Sequence, residues 1–434
     1  MTNILDHGLD FNSKISFCDD GTQLTNDSGL LLMTDFLHHI NFKQLVLCAL
    51  PKQEWRRSPK HRLSSLLTQV LLQKIAGYQN DSMTKNLSHD PVLKLCLDKD
   101  TLASQPTISR FINHLGSSAV AGLETLNRDL NKLVIKQNNQ TDMIIDVDST
   151  HSDTFGNQVN AAFNSHYASM GLHPLLAFDG LSGMFLGAKL RPGNVYTSTG
   201  VVDFMRPIID YTKKFSCQMN TLVRGDSGFA TPKLYQLCLS SDTDFLIKLK
   251  TNAKLLALAE SCAKLIDPED TSAHFFNLNY RAASWPESWR LRVVLKVTRP
   301  AGELLCHYEF LVTTLTELSS IDLFRMYHNR GVAENFIKEA KDGFGFDKTN
   351  SHSFQANTTR MWLAVLSYTL SLLFKRLVLP STIQTATIGT LRFWLLHIAG
   401  RVTTHARKTS IHLSRSNPHI RLFWYALHQI HALK

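Results

Sequence analysis

Two short stretches of the chain end in carboxylates. "IIDVDST" (144–150) carries Asp146 and Asp148, and "RGDSGF" (224–229) carries Asp226. Both begin as β-rich runs. With a side-chain period of two, Asp146 and Asp148 share one face of a strand and Ile145 and Val147 take the other. Carboxylates are costly to bury unpaired. A divalent cation such as Mg²⁺ removes that cost, because it takes oxygen ligands. Two such ions can clamp the attacking and leaving oxygens of an in-line phosphoryl displacement. A third carboxylate stands among cations in "YHNRGVAENFIKEAK" (327–341). On one continuous helix at about 100° per residue, Tyr327, Arg330, Glu334 and Lys341 fall within roughly 60° of arc. Met326, Ala333, Phe336, Ile337, Ala340 and Phe344 gather on the adjacent arc as a buried stripe. Glu334 would then complete a metal-binding triad with two strand aspartates, and Arg330 and Lys341, with Lys338 nearby, would hold phosphate oxygens. Each piece has a plainer explanation. Asp226 before Ser-Gly suits a turn, and Glu334 suits an i,i+4 pair with Lys338. The order strand Asp, strand Asp, helix Glu is what favours a site.

Such a site needs a sheet to carry it. Residues 1 to about 135 read as helical, with an apolar stripe over 61–78 and a compact helix over 102–116. In the latter, Ser104 lies near the N-cap, Pro106 in the first turn, and Ile108, Phe111, Ile112 and Leu115 make the buried stripe. Its outer face shows Thr107, Ser109, Arg110, Asn113 and His114, types that suit a DNA groove and equally an ordinary surface helix. "KQNNQTD" (136–142) is polar and reads as a linker. Beyond it the pattern alternates: a strand at 143–147, a hairpin at 175–194, a helix at 198–215, a strand and turn at 221–229, a helix at 231–241 and a strand at 244–250. That order predicts an α/β core. Strands at 290–300 and 306–315 make 251–315 a β-rich insertion. One helix over about 319–344 carries the third carboxylate, and an apolar helix covers 360–376. The expected domains are a helical DNA-binding domain (1–138), a core in two parts (139–250 and 316–376) around the insertion, and a basic helical segment (377–434).

The net charge of +10 is unevenly placed. Asp347 is the last acidic residue, and eleven Lys and Arg follow it, with seven His. The first 347 residues carry 35 basic and 36 acidic side chains. A polyanion, nucleic acid first, is the natural partner for the C-terminal segment. The N-terminus has no signal pattern. The apolar run "WLAVLSYTLSLLF" (362–374) is too short to span a bilayer and contains three hydroxyls, so a buried helix is expected and no membrane. Seven scattered cysteines without a CxxC argue for reduced thiols in the cytoplasm and against structural zinc.

The chain resembles the DDE transposases of bacterial insertion sequences. Asp148, Asp226 and Glu334 look like their acidic triad. Tyr327, Arg330, Glu334 and Lys341 match their Y-(2)-R-(3)-E-(6)-K signature at every position. "IDVDST", "LRPGN", "RGDSGF" and "NRGVAENFIKEAK" are similar to the branch numbered thirteen-eighty, and the likeness runs from about Leu102 to Leu373. The resemblance implies a ribonuclease-H-like catalytic core interrupted by the β-rich insertion. It also implies Mg²⁺, with Mn²⁺ as substitute, and cut-and-paste transposition of double-stranded DNA: terminal inverted repeats are cut and joined to target DNA. Tyr327, Arg330 and Lys341 would touch DNA beside the cut, and an insertion Trp, either Trp285 or Trp289, would stack on a flipped base. Arg191 and Asn194 in "LRPGN" fit a DNA-contacting loop or a plain turn. The family pattern, an Asp directly before a Ser/Thr pair, selects Asp148 over Asp146 as the ligand. A homodimer joining two ends and a nucleoid-associated cytoplasmic location follow from the same likeness. A nuclease without strand transfer, or a DNA-binding protein that no longer cuts, are the other readings.

Overall fold

A computed structural model describes residues 7–9, 12–17, 23–50, 56–215 and 219–433; Cys18 and Cys217 lie outside the described residues. The described cysteines Cys48, Cys96, Cys238, Cys262 and Cys306 are free thiols. The chain divides into two compact units, residues 115–373 and residues 1–114 with 374–434. The polar stretch expected as a linker near 138 falls inside the first of these.

Residues 115–373 are built on an eight-stranded mixed sheet. Its strands are β1 (Asp142–Ser149), β2 (Leu175–Asp179), β3 (Phe185–Lys189), β4 (Asn220–Gly225), β5 (Asp244–Leu249), β6 (His274–Leu278), β7 (Arg292–Thr298) and β8 (His307–Thr313), in spatial order β6-β7-β8-β5-β4-β1-β2-β3. The alternation in β1 decides its orientation. Met143, Ile145 and Val147 are fully buried on one face, which leaves Asp146 and Asp148 on the other. β4 and β5 run parallel to β1. Their connections pass through the helices α2 (Val201–Lys213) and α3 (Pro232–Ser240), as parallel pairing requires. A preceding helix, α1 (Ser117–Gln137), lays Asn127 and Asn131 against β3. Both amides donate to the Phe185 carbonyl, at 2.7 and 2.6 Å, and Thr369 donates to Asn127. The expected elements of this core are present, including the β2–β3 hairpin.

Four features differ from expectation. First, the insertion opens with the helix α4 (Ala253–Ala263), and its strands continue the core sheet: β8 pairs antiparallel with β5, Ile247 opposite Val312, and β7 and β6 add outside it. Second, the single helix expected over 319–344 is two, α5 (Ser320–His328) and α6 (Gly331–Phe344). Between them the amides of Arg330, Val332 and Ala333 bond three residues back instead of four, to Tyr327, Asn329 and Arg330. Gly331, a poor helix former, sits at this junction. Third, a small sheet made of Ser152–Asp153, Ser169–Leu172 and Ala162–Asn164 follows β1 directly and was not foreseen.

The fourth difference lies in the other unit. Its helices include Leu30–His39, Leu63–Ile75 and Gln105–His114, close to the expected positions of the last two. The segment expected to be basic and helical contains a β-hairpin, Gly400–His405 with Lys408–Leu413, before a final helix Ile420–Ala432. "RVTTH" and "KTSIHL" are rich in β-branched residues, and Ala406 and Arg407 both take positive φ (48° and 63°), the geometry of a tight two-residue hairpin turn. Asp27 anchors this unit, accepting from Tyr78 Oη at 2.7 Å and meeting His397 Nδ1 at 2.7 Å. The apolar run lies in α7 (Phe354–Val378). This helix is long and apolar enough to cross a membrane, yet 89% of its most apolar window is buried within the protein. It is a core helix.

Candidate active site

Pairing register brings two of the carboxylates together. Arg224 on β4 lies opposite Asp146 on β1. Asp226 follows one residue past the end of β4, and its charge acts on Asp148, which lies two residues beyond Asp146 on β1. This is the carboxyl edge of the sheet, where open α/β folds bind ligands. Asp226 caps a short turn, Ser227–Phe229, its Oδ1 accepting the Gly228 amide at 2.9 Å. The turn role expected for Asp226 is therefore real, and it fixes the carboxylate at the strand end.

Asp148 is the more constrained partner. Its Oδ1 accepts the Ser149 amide at 2.8 Å and its Oδ2 meets Arg330 Nη2 at 2.8 Å. Burial pushes its carboxyl up to about 6, with the charges of Asp226 and Glu334 adding to the rise and Arg330 opposing it. Arg330 Nη1 stands 4.0 Å from Glu334 Oε1. Arg330 thus lies between the strand carboxylate and the helix carboxylate. Its Nε is shielded from solvent and has no hydrogen-bond partner among the described residues. Glu334, in the first turn of α6, is largely exposed.

Asp146 has a different task. Arg224 grips it fork to fork, Nε to Oδ1 and Nη2 to Oδ2, both at 2.7 Å. Both side chains are almost wholly buried, 1% and 2% exposed. Arg224 also donates to the Met326 carbonyl, which ties the two strands to α5. Space for the pair comes from Gly180, where a Cβ would lie 2.5 Å from Asp146 Oδ2 and 2.6 Å from Arg224 Nη2. Arg224 and Gly180 are the residues that sequence reasoning missed. A signal was present: Asp146 and Arg224 each precede a site aspartate by two residues, so on parallel strands they share its face one step inward.

The remaining candidates scatter. Lys341 donates to the His151 carbonyl at 2.9 Å, which holds the chain just past β1, and burial lowers its pKa. Tyr327 does not join an exposed stripe with Arg330. It is 7% exposed and packs with Leu222, Leu246, Val294, Leu311 and Phe324, and burial raises its hydroxyl to about 12. Arg191, which fitted either a DNA-contacting loop or a plain turn, has a structural role. It is buried, and it donates to the carbonyls of His173, Thr197 and Thr199 at 2.9, 2.9 and 2.8 Å, so it shapes the loop that leaves Asn194 exposed. Trp285 is buried edge-on against Tyr235 and Tyr280, a packing role, while Trp289 remains partly accessible. Lys338 and Arg110 are exposed. The small sheet contributes an unforeseen pair. His151 stacks on Tyr167 with ring centroids 4.9 Å apart, and the Asp148 and Asp226 charges add to the burial that raises the Tyr167 hydroxyl.

The donor set fits a hard divalent cation. Three carboxylates contribute only oxygen, and a cation would relieve the cost of holding the Asp148 charge, which comes first from burial and then from the neighbouring Asp226 and Glu334 charges. Asp148, Asp226 and Glu334 are the residues that would hold it.

A family model described as "Transposase DDE domain group 1" matches residues 7–434. None of the curated proteins matches. Among solved structures, the chain is similar to that in the "Cryo-EM structure of piggyBac transposase synaptic complex with hairpin DNA", at 11% identity over 86% of this chain and 80% of that one, with a TM-score of 0.43.

Proposed function

The chain belongs to the transposase DDE domain group 1 family, and from that premise we propose that it cuts the ends of a bacterial insertion sequence of the thirteen-eighty branch and joins them to target DNA. The observation that carries this reading is the placement of Asp148 and Asp226 at the carboxyl ends of the adjacent parallel strands β1 and β4, with Arg330 linking Asp148 to Glu334. The strand order β3-β2-β1-β4-β5 supports a ribonuclease-H-like core. Mg²⁺ or Mn²⁺, when bound by the three carboxylates, supplies the Lewis acid that activates the attacking oxygen and stabilises the leaving one. The chain's own part is to hold DNA. Arg330, whose Nε has no partner among the described residues, is placed to give a fork of donors to the phosphate at the cut. Lys341 anchors the backbone beside Asp148. Exposed basic residues of the C-terminal hairpin bind flanking duplex. The substrate is the pair of terminal inverted repeats. Two chains acting as a homodimer would bring the ends together in the bacterial cytoplasm, at the nucleoid.

The test uses the full chain, a linear duplex bearing the terminal repeats, and Mg²⁺ or Mn²⁺. Cleavage at the repeat ends followed by joining to a target plasmid is expected. Glu334→Gln should lower cleavage by roughly 10²–10³-fold, the scale set by losing one electrostatic stabiliser of a transition state, with DNA binding retained. Cleavage without joining would assign a nuclease, and binding without cleavage a DNA-binding protein; either result rejects the transposition reading.

A further inference from the structure

We propose a second metal site, away from the carboxylate triad and built for Zn²⁺. Asp35 and His39 lie four residues apart on the helix Leu30–His39, so both face the same side. His431 approaches from the last turn of the helix Ile420–Ala432. One ligand atom from each of the three lies within 4.8 Å of the others. The scattered cysteines speak against a thiolate zinc site, and this one uses none.

Three observations favour a metal over a plain ion pair. The donor set is two imidazoles and one carboxylate, the mixed nitrogen and oxygen set of zinc rather than the all-oxygen set of magnesium. Asp35 Oδ2 is shielded from solvent and accepts no hydrogen bond from any described residue, although His431 Nε2 comes within 3.2 Å. A shielded carboxylate oxygen left unsatisfied is costly, and a cation between these groups removes the cost. The rings of His39 and His431 also lie with their centroids 5.9 Å apart and a ligand nitrogen of each within 4.8 Å of the other, so both imidazoles border the same space. Tetrahedral zinc bonds of about 2.0–2.1 Å require the ligand atoms to draw together by up to roughly 1.5 Å, within reach of side-chain rotation. His431 is well exposed, so water completes the fourth position.

The consequence is a staple. The metal ties the first long helix of this unit to its last helix, which directly follows the basic hairpin Gly400–Leu413. The proposal does not depend on the DNA-cutting reading.

The experiment titrates Zn²⁺ into untagged, chelator-treated full chain in millimolar Mg²⁺, which occupies the carboxylate triad. Competition with a chromophoric chelator and thermal melting provide the readouts. One Zn²⁺ per chain and a rise in melting temperature of several degrees are expected. Asp35→Asn and His431→Ala should each remove both effects while melting like the parent chain without zinc. Asp226→Asn should keep them. Co²⁺ substituted for Zn²⁺ should show visible absorption that His39→Gln abolishes. Absence of stoichiometric binding in Mg²⁺, or binding unchanged in His431→Ala, would overturn the proposal.

Discussion

Asp146 and Asp148 point to the same face of one strand and are two residues apart, yet their neighbours give them opposite requirements. Asp146 is neutralised by a buried arginine, so its removal strands the Arg224 charge. Breaking such a pair costs about 3–5 kcal/mol. Asp146→Asn and Gly180→Ala should therefore lower stability by about that much and abolish activity through misfolding, which urea denaturation would detect. Inactivity of Asp146→Asn is then no sign of a metal ligand. Asp148 behaves in the reverse way. Its folded carboxyl sits at about 6, above the ordinary 3.8, with burial the main cause. The folded chain therefore holds this proton more tightly than the unfolded chain. The stability that the proton contributes is full below the ordinary value and is lost as pH rises through about 6. Asparagine mimics the protonated form. In the presence of a chelator, the melting temperature of Asp148→Asn relative to the parent chain should rise between pH 5 and 7. A constant difference across that range would show that Asp148 carries no such strain.

Among the elements, the break between α5 and α6 has the largest effect on the site. Helical periodicity placed Tyr327, Arg330, Glu334 and Lys341 on one stripe because it assumed an unbroken helix. Three-residue turns at the junction instead leave Tyr327 in the apolar cluster and Arg330 against Asp148. Gly331 at the start of α6 has nothing within 4 Å of where a Cβ would sit. Gly331→Ala should stabilise the chain by about 0.4–1 kcal/mol, since it restricts the unfolded state without a clash. A fall in melting temperature would mean that the junction needs glycine's conformational freedom.

At the scale of the whole molecule, the basic excess of the last 87 residues divides into two populations. Lys375 and Arg392 are buried and donate to backbone carbonyls: Lys375 to Ala386, Arg392 to Lys74 and Ile75. They serve the fold. Arg401, Arg407, Lys408, Arg415 and Arg421 are exposed, the first three on the hairpin. Deleting the whole tail would therefore confuse unfolding with lost binding. Arg407→Ala with Lys408→Ala should leave melting unchanged and weaken DNA binding. The slope of log affinity against log salt should fall by up to ~1.8, from about 0.9 per released phosphate contact. An unchanged slope would remove the hairpin tip from the DNA-binding surface.

The sequence by itself determined the strands that carry Asp148 and Asp226, the helices between them and the α/β class, because alternation and capping are local and survive in one dimension. It also ranked Asp148 above Asp146 through the family pattern. Only the tertiary structure decided why, since Asp146 is claimed by an arginine 78 residues away that becomes its neighbour through strand register. The burial of Arg191, Trp285 and Tyr327 was decided at the same level. Arg191, which builds a loop, and Arg407, which is exposed on the hairpin, have the same letter in the sequence, and burial, a property of the packed chain, separates them.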